Sequence, residues 1–238
     1  MLKKREFTDH ALGKVTVTYN TRARRVIMRA RAGAISITVP LYTTDGEIKR
    51  VLDKYREKLR QMQSAHQQKC IESNFSILTE HLNLYLKEYT GDRVKITGTN
   101  GVYTLLYPVT MDFYSEQSQQ AIKSAIAAAL LHRAKQVLPL RLQQLAQQHN
   151  LHYRSVSVRN TRTRWGSCSS SATISLNMRL VVLPQHLIDY VLLHELCHTV
   201  EMNHSPRFWA LLDKLCGTES KGLRAEIKRC STDLWYID

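Results

Sequence analysis

In two stretches between residues 15 and 39 apolar side chains recur at every second position. Val15, Val17 and Tyr19 alternate with Thr16 and Thr18, Arg25-Val26-Ile27-Met28 follows a turn, and Ile35, Ile37 and Val39 alternate with Ser36 and Thr38 ahead of Pro40. A period of two marks half-buried strands, so three short strands are predicted here. The period then turns helical, with Ile48, Val51, Leu52, Tyr55 and Leu59 on one face. Thr44 followed three residues later by Glu47 reads as a capping box that starts this helix. Lys49, Arg50, Lys54, Arg56, Lys58 and Arg60 fill its remaining surface.

Strand patterning returns from about Ile77 to Tyr107, in Leu82–Leu86, Val94–Thr97 and Val102–Leu106, with Asn100-Gly101 as a hairpin turn. Residues 115–150 are rich in Ala, Gln and Leu and predict a helix, kinked or divided at Pro139, which lacks an amide donor. Ser155–Val158 and Thr173–Met178 predict further strands, the second with Ile174, Leu176 and Met178 on one face and Ser175 and Asn177 on the other. Pro184 suits the first turn of a helix through Leu187, Ile188, Val191, Leu192 and Leu193. The shift in composition near Asp112 predicts two parts, a β-rich N-terminal domain over 1–112 and a second domain over 113–238. No internal repeat or low-complexity linker separates them, so they are expected to pack together. The fold class is α+β.

The helix after Pro184 runs into His194-Glu195-Leu196-Cys197-His198. Residues four apart share a helix face, so His194 and His198 can hold one ion, while Glu195, turned by about 100°, lies beside it without being a ligand. That is the arrangement in which a carboxylate takes a proton from an activated water. A catalytic zinc needs a third protein ligand and an open position. His204 is the candidate. On one continuous helix it would point about 80° away, so the helix must end first. Asn203 is the expected left-handed C-cap, and Ser205-Pro206 the N-cap and first turn of a new helix through Phe208, Trp209, Leu211, Leu212 and Leu215, closed by Gly217. The alternative is a helix that carries solvated or core histidines, but an apolar helix has little reason to hold two imidazoles and a carboxylate unless they are ligated or paired. Cys168 as a closing fourth ligand, giving a structural site, stays open. Cys197 points away from the ligand face.

Composition adds a bias and several exclusions. With 238 residues, 43% of them hydrophobic, the chain can bury a core without staples. It holds 34 Lys and Arg against 20 Asp and Glu, a formal net charge of +14. That surplus favours anionic partners such as nucleic acid, or else is a solvated basic face. No stretch approaches the roughly 18 apolar residues of a membrane span, and the charged opening MLKKREFTDHALG leads into no apolar signal segment. A cytoplasmic protein without a membrane partner is expected. Five cysteines, an odd number without a C-x-x-C pair, read as reduced thiols.

Taken together, Arg162-Thr163-Arg164-Trp165-Gly166-Ser167-Cys168, Ile174-Ser175-Leu176-Asn177, Arg179-Leu180, Pro184, Tyr190-Val191, His194-Glu195-Leu196-Cys197-His198 and Asn203-His204-Ser205-Pro206-Arg207-Phe208-Trp209 closely resemble the YgjP-like metallopeptidase family of predicted metal-dependent hydrolases. The likeness is dense over about the last 85 residues. It implies a zincin-like helical/β catalytic core packed with the β-rich N-terminal region, Zn2+ on His194, His198 and His204, and Glu195 as catalytic base. The spacing H-E-x-x-H-x5-H also resembles, more distantly, the WLM and Spartan-related proteases that degrade DNA-protein crosslinks.

The leading expectation is a zinc-dependent metallopeptidase acting on a peptide or protein substrate. A hydrolase of a non-peptide amide and a nucleic-acid-binding protein are the alternatives, and a DNA-associated protease would combine two of these. Arg164, Arg207 and Tyr190 are candidates to stabilise the oxyanion. Arg164, Trp165 and Gly166 are expected on an edge strand that aligns substrate by backbone pairing, against the reading that Trp165 is core and Gly166 a bulge. Glu201, Asp189 and Asp213 are the carboxylates available to orient a ligand imidazole, and Ser169-Ser170-Ser171 reads as a turn.

Overall fold

The computed structural model describes residues 3–31, 34–65 and 70–230. The chain divides into two compact units, Met1–Lys69 and Cys70–Asp238. The boundary expected at 112 thus differs from the observed division. Residues 70–112, whose strand composition resembles that of the N-terminal part, belong with the second unit because Ile77, Leu82, Leu84, Tyr103, Leu105 and Tyr107 share one core with the leucines of the later helices.

In the first unit, β1 (Lys3–Asp9), β2 (Gly13–Tyr19), β3 (Ile27–Arg31) and β4 (Ala34–Val39) form a sheet in the order β1-β2-β4-β3, and α1 (Asp45–Ala65) follows. Alternation works as the sequence predicts: Val15, Val17, Ile35, Ile37 and Val39 face Ile48, Leu52 and Leu59 of the helix. The capping box is present, with Glu47 Oε2 accepting from the Thr44 amide at 2.7 Å and the Glu47 amide donating to Thr44 Oγ1 at 3.3 Å. Strand β1 is the element the pattern hides. Its sequence is mostly charged, and Phe7 alone of its side chains packs on the core.

The second unit opens with β5 (Ser76–Leu78), β6 (Asn83–Tyr89), β7 (Lys95–Thr99) and β8 (Val102–Pro108), ordered β5-β6-β8-β7, followed by α2 (Glu116–Gln148). Asn100 and Gly101, with φ of 54° and 87°, make the β7–β8 turn as expected. Helix α2 is continuous through Pro139, so of the expected kink or division the division does not occur. Leu138 and Leu142 are fully buried on either side of the proline, and their packing holds the helix across the missing hydrogen bond. Next come β9 (Ser155–Arg159), β10 (Gly166–Cys168) and β11 (Thr173–Asn177), ordered β10-β11-β9, then a 3₁₀ turn (Met178–Val182), α3 (Gln185–Cys197), α4 (Pro206–Cys216) and α5 (Ser220–Ile227).

One motif occurs three times, although no repeat was expected from the sequence. In β2-β4-β3, β6-β8-β7 and β9-β11-β10, the first and last strands in chain order pair in parallel, the middle strand joins antiparallel at the edge, and a helix follows. The third copy carries His194 and Glu195 on its helix and places β10 at its edge.

Candidate metal centre

Helix α3 is buried along most of its length, and its last turn delivers His194 and Glu195. It ends at Cys197, with His198 as the C-cap, several residues before the end expected at Asn203. Hydrogen-bonded turns replace the missing helix: Thr199, Val200 and Glu201 amides donate to the carbonyls of Leu196, Cys197 and Cys197. Asn203 is not among the residues with left-handed backbone, so the predicted cap is corrected. The remaining signals hold. Ser205 caps α4, Pro206 opens it, and Gly217 closes it with φ of 66°.

This chain reversal brings His204 back to the ligand face. One ring nitrogen from each of His194, His198 and His204 lies within 4.8 Å of the others, the one such group of three metal-ligating side chains among the described residues. His194 Nε2 and His204 Nε2 are 3.1 Å apart, close to the roughly 3.3 Å between two nitrogens that each stand about 2.0–2.1 Å from a tetrahedral zinc. His198 Nδ1 is 3.2 Å from the Glu201 carbonyl. A carbonyl only accepts, so Nδ1 carries the proton and Nε2 keeps its lone pair for an ion. Burial, then the neighbouring His198 and His204, pull His194 down to about 3, and burial followed by His198 lowers His204 as well. Both are neutral at neutral pH, as ligation requires. The donor set therefore fits a divalent ion such as zinc.

Phe208, fully buried, lies under all three imidazoles with ring centroids 4.6–4.9 Å away. Trp209 stacks on His204, and Arg224 lies over the indole at 4.5 Å. In the sequence these residues carry only an apolar helix pattern and a distant arginine, so their place around the ligands was not legible.

Glu195 is 5% exposed. Burial pushes its carboxyl up to about 8, partly opposed by the charge of Arg164. Its Oε2 is buried without a hydrogen-bond partner, as is His194 Nδ1. Strand β10 crosses directly over this carboxylate: a β-carbon on Gly166 would stand 2.5 Å from Glu195 Oε1 and 2.7 Å from its Cγ. Gly166 thus lets the β10 backbone lie against the glutamate side chain, where any larger residue would collide with it.

The strand is held in place by Asn177. Its Nδ2 donates to the carbonyls of Thr161 and Arg164, at 3.0 and 2.8 Å, and its amide to the Trp165 carbonyl at 2.8 Å. The Arg179 guanidinium adds bonds to Asn160 Oδ1 and the Thr161 carbonyl. Trp165 packs half-buried against the main core, and Gly166 opens the edge strand β10 in regular register with Leu176, so Gly166 is no bulge, and Arg164 and Trp165 precede the strand instead of lying on it. Cys168 is near enough for the charge of Glu195 to help burial raise its thiol pKa, yet it is not part of the histidine group. Cys197 is fully buried, and burial pushes it up to about 12. Tyr190 is buried with its ring 6.1 Å from that of His194. Arg207 is exposed on the first turn of α4 and makes no hydrogen bond or ion pair with the histidines or Glu195. Asp189 is taken up by Arg141 and Gln185, and Asp213 caps the Ser220 amide. Neither orients an imidazole, and residue 201 acts on His198 through its carbonyl. Ser169–Ser171 form the β10–β11 turn.

A cavity of about 580 Å³ lies in the first unit between β1 and α1. Its Asp9, Asp45 and Asp53 are paired with Arg5 and Arg56, which leaves no free carboxylate set for an ion there.

A family model, the YgjP-like metallopeptidase domain, matches residues 24–229. The chain belongs to this family. It is therefore a metal-dependent peptidase, and the YgjP-like match spans both units rather than the histidine segment alone. Comparison with curated proteins gives no match. Among solved structures, the chain is similar to the metallopeptidase zymogen of Pyrococcus abyssi abylysin, at 21% identity over 39% of this chain and 93% of that one, with a TM-score of 0.36. No described helix is long and apolar enough to cross a membrane.

Proposed function

We propose that this YgjP-like chain is a zinc peptidase in which His194, His198 and His204 hold the ion and Glu195 is the general base. The observation that supports this most directly is the convergence of three imidazole nitrogens beside a buried carboxylate with an unpartnered oxygen. A divalent ion held there would polarise a substrate carbonyl and acidify a water. Glu195, kept ionised by the charge of such an ion, would take the proton of a water attacking the carbonyl carbon and hand it to the departing amine. Gly166 keeps the space beside the carboxylate free of side chain, and β10 lines up an extended substrate through its open edge. Arg164, whose charge acts on Glu195, is the preferred oxyanion partner over the outlying Arg207. Five free cysteines support a cytoplasmic setting.

The test combines elemental analysis of the purified chain with hydrolysis of an unfolded protein such as casein. Wild type and Glu195→Gln are expected to hold one zinc each, with hydrolysis at least 100-fold slower in the variant. His194→Ala/His204→Ala is expected to lose the metal. Undiminished hydrolysis by Glu195→Gln, or zinc retained without the two histidines, would overturn the assignment.

A further inference from the structure

The positive charge is concentrated in the first unit. Residues 1–69 hold 16 Lys and Arg against 6 Asp and Glu, whereas residues 70–238 hold 18 against 14. Part of that charge gathers at one end of the sheet. The Asn20 amide donates to the Val39 carbonyl at 2.9 Å, and Ile27 pairs with Thr38. The β2–β3 connection, with exposed Arg22, Arg24 and Arg25, therefore starts and finishes beside the segment that leaves β4. That segment carries Tyr42, 91% exposed, and leads at once into α1 with exposed Lys49 and Arg50.

The acidic residues at this end are already engaged. Asp45 pairs with Arg5, and Glu47 accepts from Thr44. Among the described residues Arg22, Arg24, Arg25 and Lys49 form no ion pair. The matching connection of the third motif copy gives the contrast. Asn20-Thr21-Arg22-Ala23-Arg24 recurs as Asn160-Thr161-Arg162-Thr163-Arg164 between β9 and β10. There Asn177 ties down the carbonyls and Arg164 acts on Glu195. Counted from that shared run, the register of the first unit puts Val39 where Asn177 stands and Ile27 where Gly166 stands. The arginines keep the sequence but have neither the anchor nor the carboxylate. Three guanidinium groups with a fully presented aromatic ring match phosphates and an unstacked base.

We propose that this end of the first unit binds single-stranded nucleic acid, with Arg22, Arg24, Arg25, Lys49 and Arg50 on phosphates and Tyr42 stacked on a base. The test is fluorescence anisotropy of the full chain with 20-residue oligo-dT and oligo-U across a salt series, in chelator so that no hydrolysis or zinc enters the readout. Wild type is expected to bind one or both oligonucleotides with a steep inverse salt dependence. Arg22→Gln/Arg24→Gln/Arg25→Gln is expected to weaken binding at least tenfold and flatten the log–log salt slope by about 2. Tyr42→Ala is expected to weaken it about five- to a hundredfold with the slope unchanged, both variants keeping wild-type circular dichroism. Equal binding by wild type and the triple variant overturns the proposal. So does displacement of the oligonucleotides by phosphatidylserine vesicles or poly-glutamate at lower anion concentration, which would assign the surface to a membrane or an acidic protein.

Discussion

The indole of Trp209 lies on the imidazole of His204, 5.4 Å between ring centres and 24° between planes, and its Nε1–H donates to the carbonyl of that same residue at 3.2 Å. His204 is exposed and sits in the turn ahead of α4, so this double contact helps to fix the third imidazole. Trp209→Ala is expected to lower zinc affinity by about 10- to 100-fold, the usual effect of losing a group that orients a ligand. Trp209→Phe, which keeps the stacking and loses the N–H, should fall in between. Competition with a chromophoric chelator measures both.

Gly166 and Glu195 cannot both stay where they are once a methyl group is added. Gly166→Ala is expected to reduce peptide hydrolysis at least tenfold while zinc content stays at the wild-type level, because the clash falls on the carboxylate and not on the histidines. Steady-state rates with parallel elemental analysis decide it, and a variant that loses zinc instead would place the strain on the ligand helix.

In the metal-free protein Glu195 carries a stability cost whose size depends on pH. Its folded pKa, about 8, lies above the ordinary 4.5, so the folded state holds a proton that the unfolded state releases between these values. The contribution is fully present below about 4.5 and is lost as pH rises through 8. Metal-free Glu195→Gln should therefore match wild type near pH 4.5 and exceed it by up to about 5 kcal/mol above pH 8. Urea unfolding in chelator at several pH values measures the gap.

Asn177→Ala leaves the carbonyls of Thr161 and Arg164 without their shared donor. A loss of about 1–3 kcal/mol in unfolding free energy is expected, together with slower hydrolysis, since the same bonds set the position of β10. Asn177→Asp keeps the size and one acceptor but no donor, and should not rescue either property.

The strands with strict alternation, the capping box at Thr44 and Glu47, and the Ser205-Pro206 start were legible because each is a local signal that its neighbours decide. Strand β1 was not, since its mainly charged side chains leave Phe7 alone as a core signal. The division expected at Pro139 fails for the converse reason: tertiary packing of Leu138 and Leu142 outweighs a local breaker. At the site, the three histidines could be read from helix geometry plus a turn. The sequence gives no means to see that α3 stops at Cys197 and that the next turns, not Asn203, reverse the chain. Nor could it choose which group orients His198, because the partner is a carbonyl and every residue has one.

That carbonyl sets how the site responds to change. The anchor of His198 belongs to the main chain at position 201, so Glu201→Ala or any other ordinary replacement leaves the acceptor in place. The His198 imidazole is thereby indifferent to what the side chain at 201 is and dependent on how many residues separate 198 from 201. A one-residue deletion or insertion in Thr199–Val200 would shift the acceptor away from the ring, making loop length, rather than residue identity, the property of this turn that the metal centre senses.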